Sequence, residues 1–263
     1  MQIRWLPLVA LMACHPPPAS EPAPTTTPEP EPTAAPEAPT PTPAEPVAGD
    51  PRPADDIARD ALRRPQEVMD FFGIVPGSRV VELLAGGGYY VDLLSRRVGP
   101  TGQVWAHNTP FVLDRFAREP ITQRLANPAL SNVQRLDTEL EDPQLPADLD
   151  AVMMVLFYHD LYWQKVDREK MNAAIFAALR PGGVFGVIDH SAAKGRGSQD
   201  NKRLHRIEES LVIEEVTAAG FELAETSDLL RHPEDGLDYM VFSPPDGRDK
   251  TDRFVLKFVK PQQ

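Results

Sequence analysis

The chain has 263 residues, a formal net charge of −12, 29 prolines and a single cysteine. A net acidic chain without a run of basic residues is unsuited to the phosphate backbone of nucleic acids, so no nucleic-acid partner is expected. One cysteine excludes disulfides within the chain and zinc sites built from several thiolates.

The first 14 residues predict a lipoprotein signal. Arg4 precedes an apolar segment, residues 5–13, that is too short to span a bilayer but typical of a secretory signal. The sequence Leu11-Met12-Ala13-Cys14 is similar to the lipobox at which bacterial lipoproteins are cleaved and acylated. We therefore expect a lipid on Cys14 that anchors the protein on the periplasmic side of the cell envelope. The outer membrane is favoured because His15 is not an aspartate. The alternative is an ordinary signal followed by an unrelated cysteine.

Residues 15–53 predict a disordered tether. Fifteen of these 39 residues are prolines, interleaved mainly with Glu, Thr and Ala, so the segment has almost no side chains from which to build a core. The remaining residues, 54–263, predict one globular domain. The lipid anchor is the only membrane contact predicted, because no later segment is long and apolar enough to cross a bilayer.

Within residues 54–263, apolar runs and helical periodicities alternate along the chain. The predicted strands are residues 79–84, 103–106, 132–136, 150–156, 184–188, 221–226 and 254–259. The predicted helices are residues 55–72 with a second start at Pro65, 90–98, 109–126 with a break near Pro120, 167–179 and 207–219, and residues 194–202 predict a mobile glycine-rich loop. Strand–helix alternation followed by a terminal strand pair predicts a three-layer α/β fold with a seven-stranded, mostly parallel sheet.

A glycine turn joins the first predicted strand to a helix. Gly86, Gly87 and Gly88 let a ligand approach the backbone, and the helix beyond them presents free N–H groups to an anionic or carboxylate-bearing ligand. Glu82 stands near the end of the otherwise apolar strand, where a carboxylate is costly to bury unless a ligand amine or ribose hydroxyl donates to it. The unit therefore predicts a ligand site, with a plain tight turn as the alternative.

The residues Val80-Val81-Glu82, Gly86 and Gly88 form a pattern that resembles motif I of the class I S-adenosylmethionine (SAM) methyltransferases. Leu84 departs from this pattern, because that family usually has its first glycine there. From about Asp55 to Pro261 the chain resembles a group of bacterial predicted methyltransferases, some of them exported, that share the departure. The similarity includes Phe72-Gly73, Asp189-His190, Leu204-His205-Arg206 and Lys250-Thr251-Asp252-Arg253-Phe254.

This resemblance implies a Rossmann-like class I methyltransferase fold, SAM as cofactor, and a helical segment from Asp55 that covers the pocket. The implied cofactor contacts are Glu82, Ala85, Gly86, Gly87, Gly88, Asn108 and Asp137. Asn108 follows the second strand, where the family normally has an acid for the cofactor ribose. Asp137 follows the third strand, where related enzymes contact the adenine.

Histidines and aspartates stand at the ends of two later strands. His159-Asp160 follows the fourth strand and Asp189-His190 the fifth, so all four are expected at the carboxyl edge of the sheet. A histidine near its ordinary pKa of about 6.5 suits removal of a proton from an acceptor hydroxyl, which predicts a rate that rises through about pH 6 to 7. His190 and His159 are the candidate bases, and Asp189 and Asp160 are their orienting or acceptor-binding partners. The resemblance adds His205.

The same side chains leave a second chemistry open, a divalent metal ion that positions a catechol-like acceptor. No metal is assigned from the sequence. The aromatic residues from Tyr158 to Trp163 suit an aromatic or apolar small molecule as acceptor, and they suit packing equally well. No motif names the acceptor or the oligomeric state.

Two other functions stay open at this point. An NAD-dependent oxidoreductase has a similar fold, but the third position of its G-x-G-x-x-G motif is Val91 here, which crowds helix against strand. A non-catalytic, envelope-tethered binding domain is favoured by export, because SAM is made in the cytosol.

Overall fold

The computed structural model describes residues 52–243 and 247–262. The predicted signal, Cys14 and nearly all of the predicted tether lie outside these residues. Within the described ranges, no helix has both the length and the apolar character needed to cross a membrane.

The described residues form a seven-stranded sheet. The strands are β1 (Arg79–Leu83), β2 (Gln103–Asn108), β3 (Val133–Asp137), β4 (Leu149–Val155), β5 (Leu179–His190), β6 (Glu222–Ser227) and β7 (Arg253–Val259). Their order in the sheet is β3-β2-β1-β4-β5-β7-β6. Neighbours from β3 to β5 are parallel, and β7 runs antiparallel to β5 and β6. The predicted fold class, an α/β protein with a mostly parallel seven-stranded sheet, is confirmed.

Helices and helical turns connect the strands. They are α1 (Ala54–Arg63), α2 (Pro65–Phe71), α3 (Tyr89–Val98), α4 (Pro110–Val112), a π-helical turn (Leu113–Ala117), α5 (Arg118–Leu125), a 3-10 turn (Pro128–Leu130), α6 (Asp160–Trp163), α7 (Arg168–Ala178), α8 (Asn201–Leu204), α9 (Glu209–Ala218) and α10 (Gly247–Lys250). The sequence did not predict α6, α8 and α10, because four residues are too few to show a helical period.

The two central strands are covered on both faces. Val80 to Leu83 in β1 and Ala151 to Met154 in β4 are buried without interruption. Successive residues of a strand point to opposite faces, so packed layers must lie on both sides of the sheet.

The order of the strands determines where the sheet leaves room for a ligand. β1 and β4 are neighbours, although β2 and β3 come between them along the chain. The connections from these two strands therefore lead away in opposite directions, which opens a crevice beyond their carboxyl ends.

Two predicted boundaries were wrong. β5 begins at Leu179 rather than Val184, because Leu179 pairs with Leu149 before the register shifts and Val184 pairs with Ala151. Pro120 does not break the 109–126 helix. The irregularity is the π-helical turn before it. Pro120 lies in the first turn of α5, where backbone N–H groups have no partner within the helix, so the N–H that proline lacks costs no hydrogen bond.

α1 and α10 meet over the carboxyl edge of the sheet. Asp249 in α10 accepts hydrogen bonds from Arg59 Nε at 3.0 Å and from Arg63 Nε at 3.2 Å. These charge-assisted bonds join the start of the described chain to its end. They hold α1 over the site, as the resemblance implied.

A buried ion pair fixes the chain beyond α8. The Arg206 guanidinium donates to Asp235 at 2.8 and 3.1 Å and to the Ser191 carbonyl at 3.0 Å. Both charged side chains are fully buried. Breaking a buried pair of this kind is costly, so the backbone at His205, the preceding residue, has a rigid support.

Candidate active site

A cavity of about 490 Å³ lies beyond the carboxyl ends of β1 and β4. One wall is the turn after β1, a second is the segment after β4, and α1 and α10 contribute a third. The cavity therefore occupies the crevice that the strand order opens, where α/β proteins bind their ligands.

The turn after β1 has a left-handed backbone at Leu84, Gly86 and Gly88. Gly86 has φ +57°, which glycine adopts without strain. Leu84, at the position where the class I methyltransferases usually have glycine, has φ +54°. The leucine thus keeps a conformation that glycine favours, and its side chain is 2% exposed in the core.

Asn108 supports this turn from behind. Its Oδ1 accepts the Gly86 N–H at 2.9 Å, and its Nδ2 donates to the Gly86 carbonyl at 3.1 Å. Both polar atoms of the Asn108 amide are therefore engaged by the turn. A contact with a cofactor ribose stays a prediction, because Asn108 is not among the residues that line the cavity.

Arg124 clamps the same turn from the other side. Its Nε donates to the Gly87 carbonyl at 2.5 Å, and its NH2 group donates to Asp56 at 2.6 Å. A Cβ at Gly88, where φ is +83°, would lie 2.8 Å from Arg124 Cδ and from Ile121 Cδ1. Gly88 is thus required by packing, whereas Gly86 and Gly87 line the cavity.

Glu82 carries a carboxyl with no protein partner for one of its oxygens. The residue is 5% exposed and lines the cavity, and within the described ranges Oε2 has no hydrogen bond. Burial raises the pKa of this carboxyl to about 8, although the charges of Arg63 and Arg124 oppose the change. A buried polar atom of this kind is costly unless a ligand donates to it.

Three arginines give the α1/α10 wall a positive charge. Arg59, Arg63 and Arg248 all line the cavity. Arg59 and Arg63 share Asp249, and Arg63 lies 4.6 Å from the centre of the Tyr89 ring. Arg248 Nε has no hydrogen-bond partner among the described residues. This wall therefore suits an anionic group of a ligand.

His159 is held by a buried carboxylate. Asp189 accepts the His159 Nδ1–H at 2.7 Å and, through its other oxygen, the His159 backbone N–H at 2.7 Å. His159 Nε2 lies 3.0 Å from Asp160 Oδ1 and 3.2 Å from His205 Nδ1. The ring orientation is thus fixed, and its second nitrogen faces two further polar side chains at the cavity wall.

The surroundings of His159 favour its charged form. Burial alone lowers the pKa of this imidazole, but the carboxylates of Asp189 and Asp160 outweigh burial and raise the pKa to about 9. For Asp160, burial acts in the direction of a higher pKa, and the hydrogen bonds from His159 and His205 outweigh it and hold the pKa below its ordinary value. A histidine that is already protonated at neutral pH is a poor general base.

The surroundings of His190 favour its neutral form, in contrast to those of His159. Burial, together with the positive charge of His159, lowers the pKa of His190 well below 6.5. Its Nδ1 lies 2.6 Å from Thr251 Oγ1, and that hydroxyl donates its only proton to the Arg248 carbonyl at 3.1 Å. The His190 hydrogen bond is therefore donated by Nδ1–H. Nε2 is left unprotonated, on a residue that lines the cavity.

Aromatic side chains form the rest of the cavity wall. The rings of Phe116 and Phe157 are nearly parallel, with centroids 6.3 Å apart, and Trp163 packs edge-on against Phe111. Phe242 packs edge-on against His205 at 4.9 Å. These surfaces suit an apolar or aromatic ligand group.

The structure brings most of the sequence-predicted residues together. Those that line the cavity are Glu82, Ala85, Gly86, Gly87, His159, Asp160, His190 and His205. Four others support lining residues or lie farther out: Gly88, Asn108, Asp137 and Asp189. Asp137 ends β3 and pairs with Arg135 at 2.9 Å. Its predicted adenine contact stays a prediction.

Sequence reasoning missed the arginines and several aromatic residues of the cavity. Those residues are Arg59, Arg63, Tyr89, Phe116, Phe242 and Arg248. A signal was available for α1, whose helix was expected to cover the pocket and which carries Arg59 and Arg63. No local sequence pattern indicates that Arg248 lines the cavity, which it reaches only because α10 packs against α1.

No family model matches this chain. Among solved structures, the chain is similar to a SAM-dependent methyltransferase from Aquifex aeolicus, with 20% identity, a TM-score of 0.57, and coverage of 77% of this chain and 93% of that one. It is also similar to the (4+2)-cyclase SpnF, with 16% identity, a TM-score of 0.56, and coverage of 77% and 82%.

A third similar structure is Aeropyrum pernix fibrillarin in complex with natively bound S-adenosyl-L-methionine, with 14% identity, a TM-score of 0.50, and coverage of 76% of each chain. At such identities the likeness shows the fold, which is the Rossmann-like fold of these proteins. It does not by itself carry a reaction over to this chain.

Proposed function

We propose that this protein is a SAM-dependent methyltransferase that acts on a small-molecule acceptor and is tethered to the cell envelope. The observation that carries the proposal is the buried Glu82 carboxyl, which lines the cavity beside the glycine turn and, within the described residues, leaves Oε2 unpartnered. SAM has an amine and ribose hydroxyls that can donate to this oxygen. One similar structure is described as a SAM-dependent methyltransferase, and another contains natively bound SAM.

The remaining chemistry of the cavity fits the same cofactor. The methionine part of SAM ends in a carboxylate, and the wall formed by Arg59, Arg63 and Arg248 offers it positive charge. The glycine turn lets the cofactor approach the backbone at Gly86 and Gly87. A volume of about 490 Å³ is in the range of small-molecule sites, which supports a small acceptor.

The acceptor half of the site lies after β4 and β5. When bound, SAM supplies a methyl group on a good leaving group, so the protein must align the acceptor and, for a hydroxyl, take its proton. His190 presents an unprotonated Nε2 and is the base that the geometry favours over the protonated His159. Phe116, Phe157 and Trp163 provide an apolar surface against which an acceptor can pack.

The rival functions are separated from this proposal by specific features. Val91, at the third position of a dinucleotide-binding glycine motif, is fully buried in α3, so the helix does not approach β1 as closely as glycine would allow. SpnF is named as a cyclase on a similar fold. The fold therefore supports reactions other than methyl transfer, and cofactor binding and turnover have to be measured separately.

Calorimetric titration of the purified protein with SAM, S-adenosylhomocysteine and NAD tests cofactor choice. We expect the first two to bind and NAD not to bind. At pH 7 Glu82 must give up its proton to accept a hydrogen bond from the ligand as a carboxylate, so binding is expected to release a proton. Heats measured in two buffers of different ionisation enthalpy report this release, which Glu82→Gln should abolish. Preferential binding of NAD would contradict the proposal.

Turnover is tested by incubating the protein with radiolabelled SAM and a cell-envelope extract. We expect a labelled small molecule. Tight SAM binding with no labelled product from any extract would contradict the methyltransferase proposal and support the non-catalytic alternative.

The cellular location is a separate prediction that rests on the sequence before the described residues. We expect the mature protein to begin at an acylated Cys14 and to be recovered in the membrane fraction, with the outer membrane favoured. Mass spectrometry of the N-terminal peptide measures the modification, and Cys14→Ser is expected to abolish both acylation and membrane recovery. A mature soluble protein with unmodified Cys14 would contradict this prediction.

A further inference from the structure

We propose that His159, Asp160 and His205 together bind one divalent first-row transition-metal ion at the cavity wall. His159 Nε2 lies 3.0 Å from Asp160 Oδ1 and 3.2 Å from His205 Nδ1. His205 Nδ1 lies 3.1 Å from Asp160 Oδ1. Two imidazole nitrogens and one carboxylate oxygen thus stand at the corners of a nearly equilateral triangle, in a group of side chains suited to hold a metal ion.

The size of this triangle matches one face of an octahedron. Adjacent ligand atoms that each lie about 2.1 Å from a six-coordinate ion are about 3.0 Å apart. Around a four-coordinate, tetrahedral ion at the same distance they are about 3.4 Å apart. The observed separations of 3.0 to 3.2 Å are closer to the octahedral value. Two histidines and a carboxylate on one face form a donor set that proteins use for non-haem Fe²⁺.

The His159 ring is oriented from behind, as metal-binding histidines are. The fully buried Asp189 carboxylate accepts its Nδ1–H at 2.7 Å, which directs Nε2 toward the other two proposed ligands. A carboxylate on the far nitrogen makes the near nitrogen a better ligand, and the ion binds there by displacing the Nε2 proton that His159 carries in the metal-free protein. Trp163 Nε1–H donates at 2.6 Å to Asp160 Oδ1, the proposed ligand oxygen itself, and so holds the carboxylate in place at the cavity wall.

His205 is held in a conformation that needs outside support. Its φ of +56° lies in the left-handed region, which is strained for a residue with a Cβ. The next residue, Arg206, is fixed by its buried pair with Asp235. Strain of this kind persists where the surroundings impose it, and here it brings Nδ1 to the other two ligand atoms.

The remaining coordination positions of such an ion face the cavity, because all three proposed ligands line it. The His159 and His190 rings lie 6.0 Å apart between centroids, so an oxygen bound to the ion is near the proposed base. A divalent ion there lowers the pKa of a bound hydroxyl and orients it. This use rests on the proposed function, whereas binding of the ion does not.

Hydrogen bonds among the three side chains are the competing explanation for their short separations, and metal titration separates the two. The full chain is treated with EDTA, dialysed, and titrated with Mn²⁺ while electron paramagnetic resonance reports the free ion. We expect one Mn²⁺ to bind per chain. With Co²⁺ we expect the weak visible absorption of a six-coordinate ion.

Variants at the proposed ligands and at Asp189, together with a control variant outside the cavity, show whether the ion binds at this site. His205→Gly removes one ligand and suits the left-handed backbone, and Asp160→Asn changes one atom type at constant shape. Each is expected to weaken Mn²⁺ binding by at least about 10-fold, and Asp189→Asn by about 10- to 100-fold. His232→Ala, which removes a histidine that does not line the cavity, is expected to leave binding unchanged.

Far-UV circular dichroism checks that each variant is folded. If Asp160→Asn does not fold, the metal-binding test rests on His205→Gly. This variant is expected to fold, because glycine adopts the left-handed backbone conformation at position 205 without strain. No stoichiometric Mn²⁺ binding, or binding that the folded ligand variants leave unchanged, would overturn the metal site. The intense absorption of four-coordinate Co²⁺ would overturn the octahedral assignment.

SAM titration of the same samples separates this inference from the proposed function. SAM binding without metal binding would overturn the metal site alone. Metal binding that depends on His205, in a protein that does not bind SAM, would support the metal site and overturn the proposed cofactor.

Discussion

A Glu82→Gln variant is expected to be more stable than the parent protein at alkaline pH, by on the order of 5 kcal/mol, and about equally stable at pH 4. Burial raises the pKa of the Glu82 carboxyl from 4.5 to about 8. The folded state therefore keeps a proton that the unfolded state loses above about pH 4.5. The parent protein loses stability between about pH 4.5 and pH 8, and this loss is constant above pH 8. Glutamine at position 82 stays neutral, so the variant does not lose stability over this pH range.

Denaturant unfolding of the ligand-free proteins at several pH values between 4 and 9 measures this effect. Glu222→Gln is a matched control, because Glu222 is exposed on β6. We expect the control to stay within about 0.5 kcal/mol of the parent at every pH. A stability difference for Glu82→Gln that is independent of pH would show that burial does not hold Glu82 in its neutral form.

A His190→Ala variant is expected to transfer methyl groups about 10²- to 10⁴-fold more slowly, with little change in SAM affinity. The Nε2 of His190 is the unprotonated nitrogen that geometry leaves for the acceptor, because Nδ1–H is committed to Thr251. Loss of a base that acts on the acceptor lowers the rate of transfer and leaves the cofactor contacts intact.

Single-turnover rates and calorimetric SAM affinities of the variant and the parent separate these two effects. His232→Ala is the matched control, since it removes a histidine outside the cavity and should leave both quantities unchanged. An unchanged rate in His190→Ala would contradict the base assignment. A parallel loss of SAM affinity would instead make His190 part of the cofactor site.

The pH dependence of transfer provides a second test of His190. Burial and the charge of His159 lower its pKa well below 6.5, so the imidazole is already a free base at pH 6. The contribution of His190 to the rate should therefore be constant between pH 6 and 8 and fall only at more acidic pH. This expectation replaces the rise through pH 6 to 7 that an ordinary imidazole predicts. A rise centred there and absent in His190→Ala would contradict it.

The departure at Leu84 illustrates how a local pattern can change while the geometry stays. Glycine is usual at this position in the class I methyltransferases because the chain turns there, and Leu84 keeps a φ of +54°. Its buried side chain contributes to the core, which offsets the backbone strain. The sequence could show the missing glycine, but only the packing around Leu84 explains why it is tolerated.

The sequence by itself determined the succession of strands and helices and the residues at the carboxyl ends of the strands. Buried strands require apolar runs, and helices require a periodic apolar face and suitable ends, so both leave local signals. Asp167, for example, is a residue type that caps helices and stands at the start of the predicted helix 167–179, and its side chain accepts the Lys170 N–H at 3.1 Å. Parallel strands then bring Glu82, His159 and His190 to one edge of the sheet.

Only the tertiary structure decided what each of these residues does there. His159 and His190 are the same side chain at equivalent strand ends, yet the carboxylates of Asp189 and Asp160 raise the pKa of the first, and burial next to positive charge lowers the pKa of the second. Arg248 entered the site through α10, far along the chain. Charge pairing and desolvation depend on neighbours that are distant in sequence, so no local pattern records them.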